Sequence, residues 1–436
     1  MSEQYTVHPS NKISGIINVP GDKSISHRSL ILLSISDGIA KISGLLESED
    51  CMATIKIFRM LGVKIEKDNK NTYIVYGRGL HGLKGANNNL DCGNSGTTMR
   101  LLAGLMCAQK FSSNFIGDNS LIKRPMERIS KPLSMMGANI NLSKNNTAPI
   151  KINPIEKIKS IEYKMPIDSA QIKSSIILAS LYADNKTKII ENNPTRDHTE
   201  NMINYLNGNI TTTNNEIIID PTYKLISKDI DIPGDISSAI FLIVGCLISK
   251  NSEILIENVG LNILRTGSIE ILKLMGAKIT VSNIKKYGPE KVGDIKVKSS
   301  TLKGIEIPKK YVANAIDEFP IIFIAAANAS GKTLLRHAEE LRYKESDRLE
   351  AMSKGLTSCK INNNLFKDGI EIEGGEMAGS VVNSFGDHRI AMSFAIAGIS
   401  AKNQITILNA ESVSTSFPNF YSLAKLIGIN IIRENT

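Results

Sequence analysis

Six times along its 436 residues, the chain ends a helical pattern on a glycine turn and passes into a short strand-like stretch. The turns are Leu61-Gly62-Val63-Lys64-Ile65, Met136-Gly137-Ala138-Asn139-Ile140, Asn207-Gly208-Asn209-Ile210, Met275-Gly276-Ala277-Lys278-Ile279, Lys354-Gly355-Leu356 and Ile427-Gly428-Ile429-Asn430-Ile431. Their glycines lie 68 to 79 residues apart. A glycine just past a helix end supplies the left-handed cap that closes it. Self-similarity at this period predicts one supersecondary unit used six times.

About forty residues before each glycine a second, more apolar helix begins. The starts fall near Ser24, Ser95, Ser169, Ser237, Asp317 and His388. Stretches such as Met99–Met106, Ile172–Ala179 and Ile390–Ala397 are rich in Ala, Ile, Leu and Ser, as expected of helices buried all round. Strand-like runs, among them 72–76, 216–220, 253–257, 278–281 and 404–408, fill the gaps. The unit therefore reads βαβαββ, with one buried and one amphipathic helix, and predicts helices enclosed by walls of sheet.

A second echo divides the six units into two sets of three. Val19-Pro20-Gly21-Asp22-Lys23-Ser24 returns as Ile232-Pro233-Gly234-Asp235-Ile236-Ser237. The reading is an α/β chain of two lobes, one spanning 22–233 and the other 1–21 with 234–436. The early strand within Lys12–Val19 is assigned to the second lobe.

Composition narrows the function classes. Aromatic residues are 5% of the chain and Trp is absent, which argues against stacking platforms for single-stranded nucleic acid. A formal charge of +9 suits nucleic acid, an anionic membrane or small acidic substrates, and does not choose among them. The five cysteines are far apart and form no C-x-x-C pair, so free thiols in a reducing cytoplasm are expected and no metal site is. Met1–Tyr5 is no signal peptide, and runs such as Ile236–Ile248 are too short to span a membrane.

Charged and hydroxyl residues gather where the buried helices begin. The first start carries Lys23, Ser24 and Arg28, and the second is Gly93-Asn94-Ser95-Gly96-Thr97-Thr98-Met99-Arg100. The third carries Asp168, Ser169, Ala170, Gln171 and Lys173; the fifth, Asp317-Glu318-Phe319-Pro320; the sixth, Gly386-Asp387-His388-Arg389. Loops add Lys123-Arg124-Pro125, Thr195-Arg196-Asp197-His198 and Arg342–Arg348. Helix N-termini present free N–H groups and the positive end of the helix dipole, so this pattern points to a cleft for more than one anion. Gly331-Lys332-Thr333 is no phosphate loop, because Ala326 occupies the position of the first glycine in that motif.

Pro20–Arg28, Gly93–Arg100, Asp168–Gln171, Asp317–Pro320, Arg342–Arg348 and Gly386–Arg389, in this order and spacing, resemble the 5-enolpyruvylshikimate-3-phosphate (EPSP) synthase family of 3-phosphoshikimate 1-carboxyvinyltransferases. The resemblance covers essentially the whole chain. It implies the enolpyruvyl transferase fold, an inside-out α/β barrel arrangement of two lobes, each with three βαβαββ units around buried parallel helices. It also implies transfer of the carboxyvinyl group of phosphoenolpyruvate to a hydroxyl of shikimate 3-phosphate, in aromatic amino-acid biosynthesis. The implied protein is a cytoplasmic monomer without cofactor or metal, inhibited by glyphosate.

By the same resemblance, Lys23, Ser24, Arg28, Ser169, Ala170, Gln171, Arg196, Asp317 and Lys344 hold shikimate 3-phosphate. Lys23, Gly96, Arg124, Gln171, Arg348 and Arg389 surround phosphoenolpyruvate. Asp317 is expected as base for the hydroxyl and Glu345 as acid and base at carbon, with Lys23 sharing proton transfer. The lobes are expected to hinge at their two crossings and close on substrate. Ser169-Ala170-Gln171, Arg196–Glu200 and Thr415, which stands where a lysine is common, resemble the second class of the family. A sister transferase acting on UDP-N-acetylglucosamine shares the fold. It would require Lys-Asn where this chain has Lys23-Ser24, and a Cys near 115, where it has Phe115-Ile116-Gly117.

Overall fold

The computed structural model describes residues 3–10, 12–68 and 72–435. The chain divides into two compact units. One is Gly21–Ile232 together with Tyr287–Glu290; the other is Met1–Pro20, Pro233–Lys286 and Lys291–Thr436. Each has its own hydrophobic core. The four residues Tyr287–Glu290, read from sequence as part of the second lobe, group with the first unit. There Glu290 Oε1 lies 2.7 Å from His198 Nδ1, and both side chains are buried.

Helices alternate in character as the period predicts. The buried set is α1 (Lys23–Ser34), α3 (Gly96–Met106), α5 (Ala170–Ser180), α7 (Ile236–Ile248), α9 (Phe319–Ala327) and α11 (His388–Ala397). Between them stand α2 (Glu49–Met60), α4 (Glu127–Met135), α6 (His198–Tyr205), α8 (Gly267–Leu274), α10 (Arg348–Ser358) and α12 (Phe420–Leu426). Every residue of α9 is buried. Serines tolerate the interior because they bond back within the helix: Ser34 Oγ donates to Leu30 O at 2.6 Å and Ser180 Oγ to Ile176 O at 2.7 Å. Gly104 lets α3 approach α5, since a Cβ there would collide with the Ser175 backbone.

Every repeat builds one small sheet. In the second, Leu90–Asp91 runs parallel to Ser113–Ile116, and Ile150–Asn153 lies antiparallel between Ser113–Ile116 and Asn139–Asn141. Four other sheets keep this order of first, second, fourth, third strand. Three of them take a strand from across a chain crossing or from the chain's start. Ile230–Asp231 opens the first sheet, Ser14–Ile17 opens the fourth, and Glu3–Val7 fills the sixth between Ile405–Leu408 and Ile431–Asn435. The fifth sheet has three strands, and its first strand shrinks to single bridges at Lys303 and Glu306.

Four of the six expected glycine caps are left-handed: Gly62, Gly137, Gly276 and Gly428 all have positive φ. The third and fifth differ. Asn207, at φ 70°, takes the left-handed position instead of Gly208. Asparagine accepts that conformation at small cost. Around Gly355 the helix does not stop; α10 continues to Ser358 and the chain turns at Lys360, φ 65°. Gly355 serves packing, because a Cβ there would strike the Phe394 ring of α11.

Candidate active site

In the first unit the starts of α1, α3 and α5 meet. Asp22 caps α1 by accepting from Ile25 N at 2.9 Å, and Ser95 caps α3 by accepting from Thr98 N at 3.1 Å. Arg100, one turn into α3, donates from Nη1 to Gln171 Oε1 on α5 at 2.5 Å, and Gln171 Nε2 donates to Thr97 Oγ1 at 3.1 Å. Arg124 approaches the same glycine start. Its Nη2 donates to Asn94 Oδ1 at 2.7 Å, and its Nη1 would lie 3.3 Å from a Cβ on Gly96. Lys23 forms an ion pair with buried Asp50. Thus Gly96, Arg124 and Gln171 come together at helix N-termini, and Lys23 stands at the start of α1 beside Asp50. Arg100 joins them, and sequence reasoning passed over it as the last letter of a glycine-rich motif.

Three basic side chains at these starts face inward, Arg28, Lys173 and His27. Arg28 is 3% exposed. Its Nε donates to Thr199 Oγ1 at 2.7 Å, its Nη2 to Ser174 Oγ at 2.8 Å and its Nη1 to Ser24 O at 3.0 Å. Lys173, grouped from sequence with the helix-start charges, is wholly buried against Glu191 and Glu200. Only an interior counter-charge lets a lysine sit there. His27 is buried with Nδ1 2.9 Å from Thr54 Oγ1, and Thr54 Oγ1 lies 2.8 Å from Thr98 Oγ1, which donates to Ser95 Oγ at 2.7 Å. Burial first, then the charges of Lys23 and Arg28, hold its imidazole well below the ordinary value. Ser169 and Ala170 begin α5 half-exposed, and Arg196 is half-buried in the loop before α6.

In the second unit the starts of α7, α9 and α11 meet around Arg348, which is 1% exposed. Its Nε donates to Asp387 Oδ2 at 2.8 Å, its Nη2 donates to Glu345 Oε2 at 2.6 Å, and its Nη1 lies 3.5 Å from Asp317 Oδ1. Burial opposes this charge, but the carboxylates of Asp387, Glu345 and Asp317 outweigh it and raise the guanidinium pKa further. Asp387 is also buried, and the Arg348 charge nevertheless holds its carboxyl below the usual range. Lys344 Nζ pairs with Asp317 Oδ1 at 3.2 Å. Arg389 Nη1 donates to Asp317 O at 2.8 Å and to Glu318 Oε1 at 3.3 Å, and Ser237 Oγ donates to Glu318. Asp317, Lys344, Glu345, Arg348 and Arg389 therefore form one cluster. Thr415 ends the helical turn at 410–415, where its Oγ1 donates to Ser412 O at 2.7 Å.

Chemically, the first cluster offers several cations and amide groups to an anion. The second offers two carboxylates and three cations, the equipment for moving protons beside bound negative charge. All five cysteines are buried free thiols, and burial pushes the Cys51 thiol up to about 12. Among the described residues no helix is long and apolar enough to cross a membrane.

Known proteins share this chain's sequence and architecture. The family described as EPSP synthase (3-phosphoshikimate 1-carboxyvinyltransferase) matches residues 7–423. A 3-phosphoshikimate 1-carboxyvinyltransferase of Legionella pneumophila is 51% identical over 423 residues, covering 97% of this chain and 98% of the relative. One of Methylococcus capsulatus is 48% identical over 427 residues, covering 98% of each. A solved EPSP synthase of Acinetobacter baumannii superposes with a TM-score of 0.90 at 46% identity, over 99% of this chain and 100% of that one.

Proposed function

This chain belongs to the EPSP synthase (3-phosphoshikimate 1-carboxyvinyltransferase) family, and from that premise we propose how its two clusters divide the work. The reaction moves the carboxyvinyl group of phosphoenolpyruvate onto a hydroxyl of shikimate 3-phosphate and releases phosphate. Lys23, Ser24, Arg28, Ser169, Ala170, Gln171 and Arg196 hold shikimate 3-phosphate, with Asp317 and Lys344 at its reacting end. Lys23, Gly96, Arg124, Gln171, Arg348 and Arg389 hold phosphoenolpyruvate. Arg100 adds a further cation beside Gly96 and Gln171.

The observation that carries this reading is the sharing of buried Arg348 by Asp317 and Glu345. Asp317 takes the hydroxyl proton as the oxygen bonds to the enol carbon. The methylene carbon takes a proton and becomes a methyl group, giving a tetrahedral ketal. Phosphate then leaves with the carbon–oxygen electron pair, and the methyl returns a proton to form the enol ether. Glu345 serves at carbon in both steps, with Lys23 sharing the transfer. A substrate carboxylate that takes the Nη donors of Arg348 frees Glu345 from its ion pair to carry that proton.

The protein is read as a cytoplasmic monomer that needs no cofactor and is inhibited by glyphosate in the phosphoenolpyruvate pocket. Phosphate release with phosphoenolpyruvate and shikimate 3-phosphate tests the reading. Turnover with UDP-N-acetylglucosamine in place of shikimate 3-phosphate would overturn it.

A further inference from the structure

The segment 195–200 is fastened to α5 at both ends. Lys173, 1% exposed, donates from Nζ to Thr195 O at 2.9 Å and pairs with Glu191 at 3.2 Å and Glu200 at 2.8 Å. Glu191 Oε1 in turn accepts from Thr195 N at 3.2 Å and from the Thr195 hydroxyl. The next residue of α5, Ser174, meets Thr199 Oγ1 at 2.7 Å, and both hydroxyls accept from Arg28. Of the five consecutive residues Arg196–Glu200, His198 pairs with Glu290, Thr199 with Arg28 and Glu200 with Lys173, and Arg196 is held between these anchors. The nucleus of this arrangement is one buried ammonium between two buried carboxylates. The proton balance is strained: burial raises the Glu191 carboxyl more than Lys173 lowers it. A lysine in such a place contributes nothing to a pocket by contact. It contributes by holding a loop that does.

We propose that Lys173 is a positioning residue for the acceptor substrate, setting Arg196 and the Arg28–Thr199 contact at the distance that grips shikimate 3-phosphate. The proposal rests on the reading above in which Arg28 and Arg196 hold that substrate. Lys173 itself stays in the interior and touches no ligand. A displacement of a gripping side chain by about 1 Å can lower efficiency roughly a hundredfold. Loss of the Lys173 tether should therefore act on one substrate and spare the other, which a general loss of stability would not do.

The test uses the full-length enzyme and four variants. Lys173→Met removes the tether and leaves two buried carboxylates. Lys173→Met/Glu200→Gln removes it while keeping the net charge of the cluster, so its Tm should recover most of what the single variant loses. Glu191→Gln keeps shape and weakens one partner. In the Lys173→Met variants KM for shikimate 3-phosphate should rise about ten- to a hundredfold, with KM for phosphoenolpyruvate within about threefold. Glu191→Gln should show the same selectivity at roughly three- to tenfold. Arg196→Ala separates the two ideas. If it leaves KM for shikimate 3-phosphate unchanged, the assignment of Arg196 to that substrate fails. If it raises that KM while any folded Lys173 or Glu191 variant retains the wild-type value, the positioning role of Lys173 is overturned. A parallel rise in both KM values also overturns it.

Discussion

Glu345 Oε2 accepts a hydrogen bond from Arg348 Nη2 at 2.6 Å, and the same guanidinium reaches Asp317 Oδ1 at 3.5 Å. Two carboxylates on separate segments are thus tied through one buried cation. The Asp317 and Glu345 side chains keep 15% and 26% of their exposure, while the guanidinium between them keeps 1%. Asp317→Asn and Glu345→Gln keep shape and remove the proton site. Each should lower kcat by roughly a hundredfold or more with little change in substrate binding. Steady-state kinetics on both variants decide this, and near-normal kcat in either removes that residue from the mechanism.

Gly96 stands where a side chain would press on cations. A Cβ there would lie 3.3 Å from Arg124 Nη1, tighter than ordinary contact, and 3.4 Å from Arg100 Nη1. Gly96→Ala should shorten the pocket and exclude glyphosate, the longer ligand, more than phosphoenolpyruvate. Overpacking on the order of 1–3 kcal/mol corresponds to roughly ten- to a hundredfold weaker inhibition. Equal glyphosate inhibition constants for wild type and variant, measured in competition with phosphoenolpyruvate, would show that Gly96 does not set that length.

His27 gives the fold a pH dependence of its own. It is neutral in the folded protein, because burial and the nearby Lys23 and Arg28 charges depress its pKa. The unfolded chain takes up a proton at this residue below about pH 6.5. Unfolding is therefore favoured as pH falls below that value, and the contribution reaches ~1.4 kcal/mol per pH unit from this group. His27→Gln keeps a polar partner for Thr54 and removes the titration. Urea denaturation at pH 7 and pH 5 should give a smaller drop in stability for the variant than for wild type. An identical drop would exclude His27 as a source of the acid sensitivity.

Gly355→Ala should destabilise without touching the chemistry. A Cβ there would overlap the Phe394 ring between α10 and α11. A cost of roughly 1–3 kcal/mol is expected, seen as a lower Tm with KM values preserved. A Tm equal to wild type would mean that α10 shifts freely against α11.

The period of the glycine turns made the six units legible, because a left-handed cap leaves a sequence mark. It failed at Gly208, where Asn207 does the same work, and at Gly355, where the glycine answers to an aromatic ring far along the chain. Helix starts were legible through their caps, and with them most of the cations gathered there. Lys173 shows the limit: its spacing places it at a helix start, and only the fold reveals Glu191 and Glu200 behind it. Arg100 was missed for the same reason, since its bond to Gln171 spans two repeats.

The strand Glu3–Val7 lies inside its sheet, between Ile405–Leu408 and Ile431–Asn435. On the ribosome, its partners are therefore made long after it. The stretch Gly21–Ile232 carries all its sheet partners locally and can condense while synthesis continues. The sixth sheet has to await pairing between residues as distant as Tyr5 and Ile407, a slow event by the logic of sequence-distant contacts. Until then Glu3–Val7 is a strand without its partners, the kind of open edge on which misassembly starts.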